Sequence, residues 1–121
     1  MSGLAWVGVA LLGGVGALLR FLLDGLVSAR YGRDFPVGTL VVNASGAFML
    51  GLLVGAAVGG DAFVLAGSAT LGSYTTFSTW MLETHRLVED GQLCEATANV
   101  VISVAIGLAG AALGRTLGGA L

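Results

Sequence analysis

Between Gly72 and Trp80 the chain reads Gly-Ser-Tyr-Thr-Thr-Phe-Ser-Thr-Trp, setting five serine and threonine hydroxyls inside an otherwise apolar stretch. Glycine and β-branched threonine both lower helix propensity, so the segment is a poor continuous helix. A break there would free carbonyl oxygens, which are hard ligands for an alkali or alkaline-earth cation. The alternative is an unbroken helix whose hydroxyls bond back to carbonyls one turn earlier. Phe77 and Trp80 are three residues apart and share a helix face. They either pack or turn positive ring edges toward an anion. Thr76 and Ser78 place hydroxyls beside that pair. Asn43 carries two N–H donors, suited to an anion or to binding a neighbouring helix. Arg20 is either a snorkelling interfacial residue or a positive charge at a pathway's mouth. Ser103 is a hydroxyl in a late apolar run, available to a polar track or to packing, and Glu83 is placed to cap or pair near a membrane surface.

Apolar elements must hold these residues. Charge-free runs cover residues 1–19, 35–60, 62–82 and 96–114, and a helix needs roughly 20 mostly apolar residues to cross a bilayer. Four transmembrane helices are therefore predicted, over residues 4–26, 37–58, 62–88 and 96–117, with the third broken near mid-membrane. Pro36 is the only proline and falls just ahead of the second helix, where its missing N–H costs nothing. Gly59-Gly60-Asp61 reads as a tight turn and residues 89–92 as a polar loop. Such short connections make neighbouring helices antiparallel.

The 21 glycines lie mostly within the spans, with Gly51, Gly55 and Gly59, and Gly110, Gly114 and Gly118, each at intervals of four. Small residues at that spacing let helix backbones approach closely in lipid. With 56% hydrophobic and 10% charged residues and a mean hydropathy of +0.96, the 121 residues form one all-α membrane domain (1–121). Four helices leave little interior for a pathway, which favours a homo-oligomer. A net charge of -2 without lysine argues against a nucleic-acid partner. The lone Cys94 excludes a disulfide framework and a cysteine metal cluster. Val27-Ser28-Ala29 has the look of a signal-peptide cleavage site, but no basic segment precedes the apolar run, and Arg20 and Asp24 stand at its end. Arg30, Arg33 and Arg86 fall on one side of the membrane and Arg115 on the other, a weak bias that permits insertion in both orientations.

The chain resembles the Fluc, or CrcB, family of fluoride channels from end to end. The likeness rests on Gly13-Gly14-Val15-Gly16-Ala17 with Arg20, and on Gly38-Thr39-Leu40-Val41-Val42-Asn43 with Gly46 and Phe48. Gly72 with Thr75-Thr76-Phe77-Ser78-Thr79 and Glu83, then Ser103 and Gly107, complete it. The resemblance implies an antiparallel dual-topology homodimer with two pores and a structural sodium ion at its centre. Backbone carbonyls of Gly72 and Thr75 from both subunits would hold the sodium. Phe77 would line a pore with Thr76 and Ser78 beside it, Asn43 would donate to fluoride, and Arg20 would make the vestibule electropositive. Ser103 would belong to a polar track. Trp80 stands where the family typically has a second Phe, keeping an aromatic edge and adding an N–H.

The expected function is passive export of fluoride across the plasma or inner membrane as detoxification. Fluoride enters acidified cells as neutral HF, and a passive anion pathway would release it down the negative-inside potential. A selective pore must replace its strongly held water with placed donors and ring edges. The competing reading is a small four-helix multidrug-type exporter coupled to protons. It needs a membrane-embedded carboxylate, and the acids fall outside or at the ends of the charge-free runs. A structural subunit without transport would leave the hydroxyl-rich segment without a purpose. An enzyme is disfavoured, because His85 is the sole histidine and no nucleophile–base pair is visible.

Overall fold

The computed structural model describes residues 1–121, all of whose regular structure is helical. Helix α1 is Gly3–Tyr31 and α2 is Val37–Gly55. Helix α3 covers residues 60–74, with α-helical turns at Gly60–Phe63 and Gly72–Tyr74 around a π-helical middle, Val64–Leu71. Helix α4 is Ser78–Glu89 and α5 is Leu93–Gly119. Helices α1, α2 and α5 are each long and apolar enough to cross a membrane. The remaining segment comprises α3 and α4, separated at residues 75–77.

The expected bent third helix is thus present, although several boundaries move. Helix α1 runs five residues past Leu26 to Tyr31, which takes in Arg30. There Gly32, at φ 80°, ends it, and its N–H reaches the Ser28 carbonyl. Pro36 does precede α2. The turn expected at Gly59-Gly60-Asp61 falls earlier, because Asp61 already belongs to α3. At the end of α2 the Val58 N–H bonds the Leu53 carbonyl at 3.0 Å and the Ala57 N–H bonds the Val54 carbonyl at 3.1 Å. That double closure turns the chain through a left-handed residue, here Ala57 at φ 56°. The same closure ends α4, where Gly91 takes φ 73° and the Gln92 N–H bonds the Leu87 carbonyl at 2.8 Å.

Packing follows the glycines. On α2, Gly51 and Gly55 lie against the backbone of Ala111 and Arg115; on α5, Gly114 and Gly118 lie against the backbone of Phe48 and Leu52. Neither helix could approach so closely with a Cβ at these positions, and the arrangement is the small-residue packing that holds helices together in lipid. The small core is Val42, Leu71 and Tyr74, flanked by Leu23 and Leu53. Leu4, Trp6, Leu11, Phe21 and Leu26 on α1, and Val101 and Leu108 on α5, are exposed. In water this surface would be a liability; in a bilayer it is the surface facing lipid.

Candidate functional site at the helix break

The break is built by hydrogen bonds that replace the helical ones. Thr75 takes an extended conformation, φ -81° and ψ 160°, so the helix cannot continue through it. Its own N–H and Oγ1 still serve α3, bonding the Leu71 carbonyl at 3.0 and 2.9 Å. The next N–H, that of Thr76, leaves the helix and donates to Asn43 Oδ1 at 2.8 Å, while Asn43 Nδ2 donates to the Thr76 carbonyl at 2.8 Å. One half-buried amide on α2 therefore satisfies both backbone groups of Thr76. Thr76 Oγ1 then caps α4, accepting from the Thr79 N–H at 3.2 Å and donating to Thr79 Oγ1 at 3.1 Å. Gly46 lies against the Thr75 methyl and Gly16 against the Thr70 carbonyl, so glycines on α2 and α1 admit the broken segment.

This pattern has a consequence for the carbonyls. In a continuous helix the Gly72 carbonyl would receive the Thr76 N–H, and that of Thr75 would receive the Thr79 N–H. Asn43 and Thr76 Oγ1 intercept those two donors. Both expectations for the hydroxyls therefore hold in part. Thr75, together with Ser73 to Ala69 at 2.8 Å, bonds back one turn, while Thr76 organises the break.

A groove of about 550 Å³ opens beside the break, lined by Asn43, Gly72, Thr75, Thr76, Phe77 and Trp80 among others. Phe77 is 70% exposed, and its ring meets Trp80 edge to face at 5.8 Å and 82°. The Trp80 indole N–H points away from that partnership and donates to the Asn99 carbonyl on α5 at 3.2 Å. A second cleft, about 230 Å³, lies on the other side of Thr76 and is lined by Arg20, Asp24, Thr39, Thr76 and Thr79. Arg20 makes no ion pair; Asp24 bonds Ser28 Oγ at 3.2 Å and approaches Arg33 at 3.8 Å.

Of the residues singled out in the sequence, Asn43, Gly72, Thr75, Thr76, Phe77 and Trp80 share the first groove, and Arg20 joins Thr76 in the second. Ser78 is exposed and lines neither. Ser103 is half-buried, one turn beyond Asn99 on α5, and also lines neither. Glu83 makes no ion pair; its carboxylate faces the Thr39 side chain, and its Oε1 is buried without a hydrogen-bond partner. Sequence reasoning quoted Thr39 and Thr79 without giving either a role, and passed over Asn99. Asn99 is 1% exposed, and a buried amide in an apolar helix was the available signal.

Comparison with known proteins agrees along most of the chain. The family model described as CrcB-like protein, Camphor Resistance (CrcB), matches residues 7–115. The Fluoride-specific ion channel FluC 2 of Mycolicibacterium paratuberculosis is 60% identical over 112 residues, 93% of this chain and 92% of the relative. A protein of the same name from Mycobacterium tuberculosis is 57% identical over 110 residues, 91% and 87% of the two chains. Fluoride-specific ion channel FluC 1 of Rubrobacter xylanophilus is 47% identical over 106 residues, 87% and 86%. With three apolar helices of spanning length, these relatives identify a multi-pass membrane protein.

Proposed function

The chain belongs to the CrcB family, and from that premise we propose that it is a fluoride-selective channel that lets the anion leave the cytoplasm passively. The observation that carries this reading is the break itself: Asn43, Thr76 and the Phe77–Trp80 pair gathered on one groove in a chain otherwise built for lipid. Fluoride surrenders tightly held water only to groups already in place. Asn43 spends one Nδ2 hydrogen on Thr76 and has a second to offer. Phe77 is exposed enough to turn its ring edge to a passing anion. Arg20, which makes no ion pair, lines the cleft it shares with Thr76 and Asp24 and would supply the positive charge at the vestibule.

The working unit in this reading is an antiparallel homodimer whose two copies insert in opposite orientations, with a sodium ion at its centre. The Gly72 and Thr75 carbonyls suit such an ion, because their helical donors are taken by Asn43 and Thr76 and Gly72 is exposed. Two carbonyls from one copy are too few for an alkali ion, which calls for the same pair from a second. The ion would join the two copies and carry no current.

Growth of a bacterium stripped of its own fluoride exporter tests the reading. Expression should restore growth on fluoride at acidic pH, where HF loads the cell, and should leave sensitivity to cationic antiseptics unchanged. Failure to restore growth despite membrane-inserted protein, or protection against the antiseptics instead, would contradict it.

A further inference from the structure

Trp80, Thr84 and Asn99 form a closed circuit of hydrogen bonds that ties α4 to α5. The Trp80 indole N–H donates to the Asn99 carbonyl at 3.2 Å. The Asn99 Nδ2 donates to Thr84 Oγ1 at 2.8 Å, and the Thr84 hydroxyl donates to the Trp80 carbonyl at 2.9 Å. Asn99 is the buried corner of the triangle, 1% exposed. Burying an amide in an apolar helix is expensive unless it is bonded, so this asparagine is costly to keep for packing alone. An aliphatic side chain of equal size would fill the same space.

We propose that Asn99 is a positioning residue, which holds the indole edge to face against Phe77 and keeps its N–H out of the groove. Trp80 then presents the ion pathway with an aromatic wall of fixed orientation and offers it no N–H donor. The indole has one tie, to the Asn99 backbone carbonyl; the bond from the Asn99 side chain to Thr84 joins α4 to α5 beside it and so keeps that carbonyl within the indole's reach. The role of Asn99 in transport rests on the channel reading above, whereas the tether does not.

Hydrogen–deuterium exchange of the Trp80 indole N–H, followed by NMR on the assembled protein in lipid, separates the two. In the native chain the Trp80 indole should exchange slowly, and the native rate is the reference for the variants. Asn99→Leu and Thr84→Val should each speed that exchange and lower fluoride flux by about fivefold, the worth of one hydrogen bond. Thr84→Ser, which keeps the hydroxyl, should restore both. Using Thr84 as well as Asn99 guards against a variant that fails to assemble. Unchanged exchange in Asn99→Leu and Thr84→Val would overturn the tether. Faster exchange with undiminished fluoride flux and selectivity would overturn the positioning role. Slow exchange in a native chain that carries no fluoride would contradict the channel reading, and the positioning role with it, while leaving the tether standing.

Discussion

At the scale of single residues, Asn43 and Phe77 act in different ways and their loss should look different. Asn43 holds both backbone groups of Thr76, so Asn43→Ala removes a donor from the groove and unties the break together. Its expected result is a loss of fluoride flux with thermal stability lowered by about 1–3 kcal/mol, the cost of leaving buried backbone groups unpaired. Phe77 is largely exposed in the single chain and braces little. Phe77→Ile should therefore cut flux at least as strongly while moving stability by no more than about 0.5 kcal/mol. Flux assays beside thermal unfolding in detergent check both. Undiminished flux in the two variants would remove these residues from the pathway.

At the scale of elements, caps and close approaches decide stability. Ala57 and Gly91 occupy equivalent left-handed positions at the ends of α2 and α4, but only one is a glycine. Ala57→Gly should stabilise the chain by about 1 kcal/mol, because a Cβ is disfavoured there, and Gly91→Ala should destabilise it by a similar amount. A thermal midpoint that falls in Ala57→Gly would contradict the assignment of that turn. Gly114 faces the α2 backbone directly, so Gly114→Leu should push the two helices apart and abolish folding into a defined species, as read by size-exclusion profile. Much of this was legible in the residue order. Apolar run lengths placed the helical segments, three of them long enough to cross a membrane, Pro36 marked the start of α2, and the four-residue glycine spacing marked close approaches without saying which helices meet. The π-helical stretch at Val64–Leu71 was not legible. Within it Thr70 Oγ1 donates to the Leu65 carbonyl at 2.7 Å, and Gly16 of α1 lies against Thr70, a contact between separate helices that no spacing rule encodes. The exact break was half legible: glycine and threonines signalled weakness, but Asn43, 33 residues away, selects Thr76 as the residue that leaves the helix. The Asn99 tether was hidden for the same reason, since an indole and a backbone carbonyl 19 residues apart meet only in the fold.

At the scale of the whole molecule, the proposed working unit is a pair of copies. In a single copy the groove beside the break is open, and the two diverted carbonyls would be too few for the proposed alkali ion. The arginine distribution, three against one, is a weak orientation signal, as the proposed antiparallel pair would require. Replacing sodium by a large organic cation such as N-methylglucamine should weaken the dimer, and crosslinking in lipid should follow sodium concentration. A dimer of unchanged strength without alkali ions would remove the carbonyls of Gly72 and Thr75 from that role. The central claim is selectivity for fluoride, and the most direct measurement is anion release from liposomes holding the purified protein near neutral pH. Release is followed with a fluoride electrode beside an identical chloride experiment, with the outward potassium leak that balances charge left out in one arm. The account requires fast fluoride release that stalls when charge is not balanced, with chloride retained throughout. Equal release of both anions, or no fluoride release from dimers of intact fold, would contradict it.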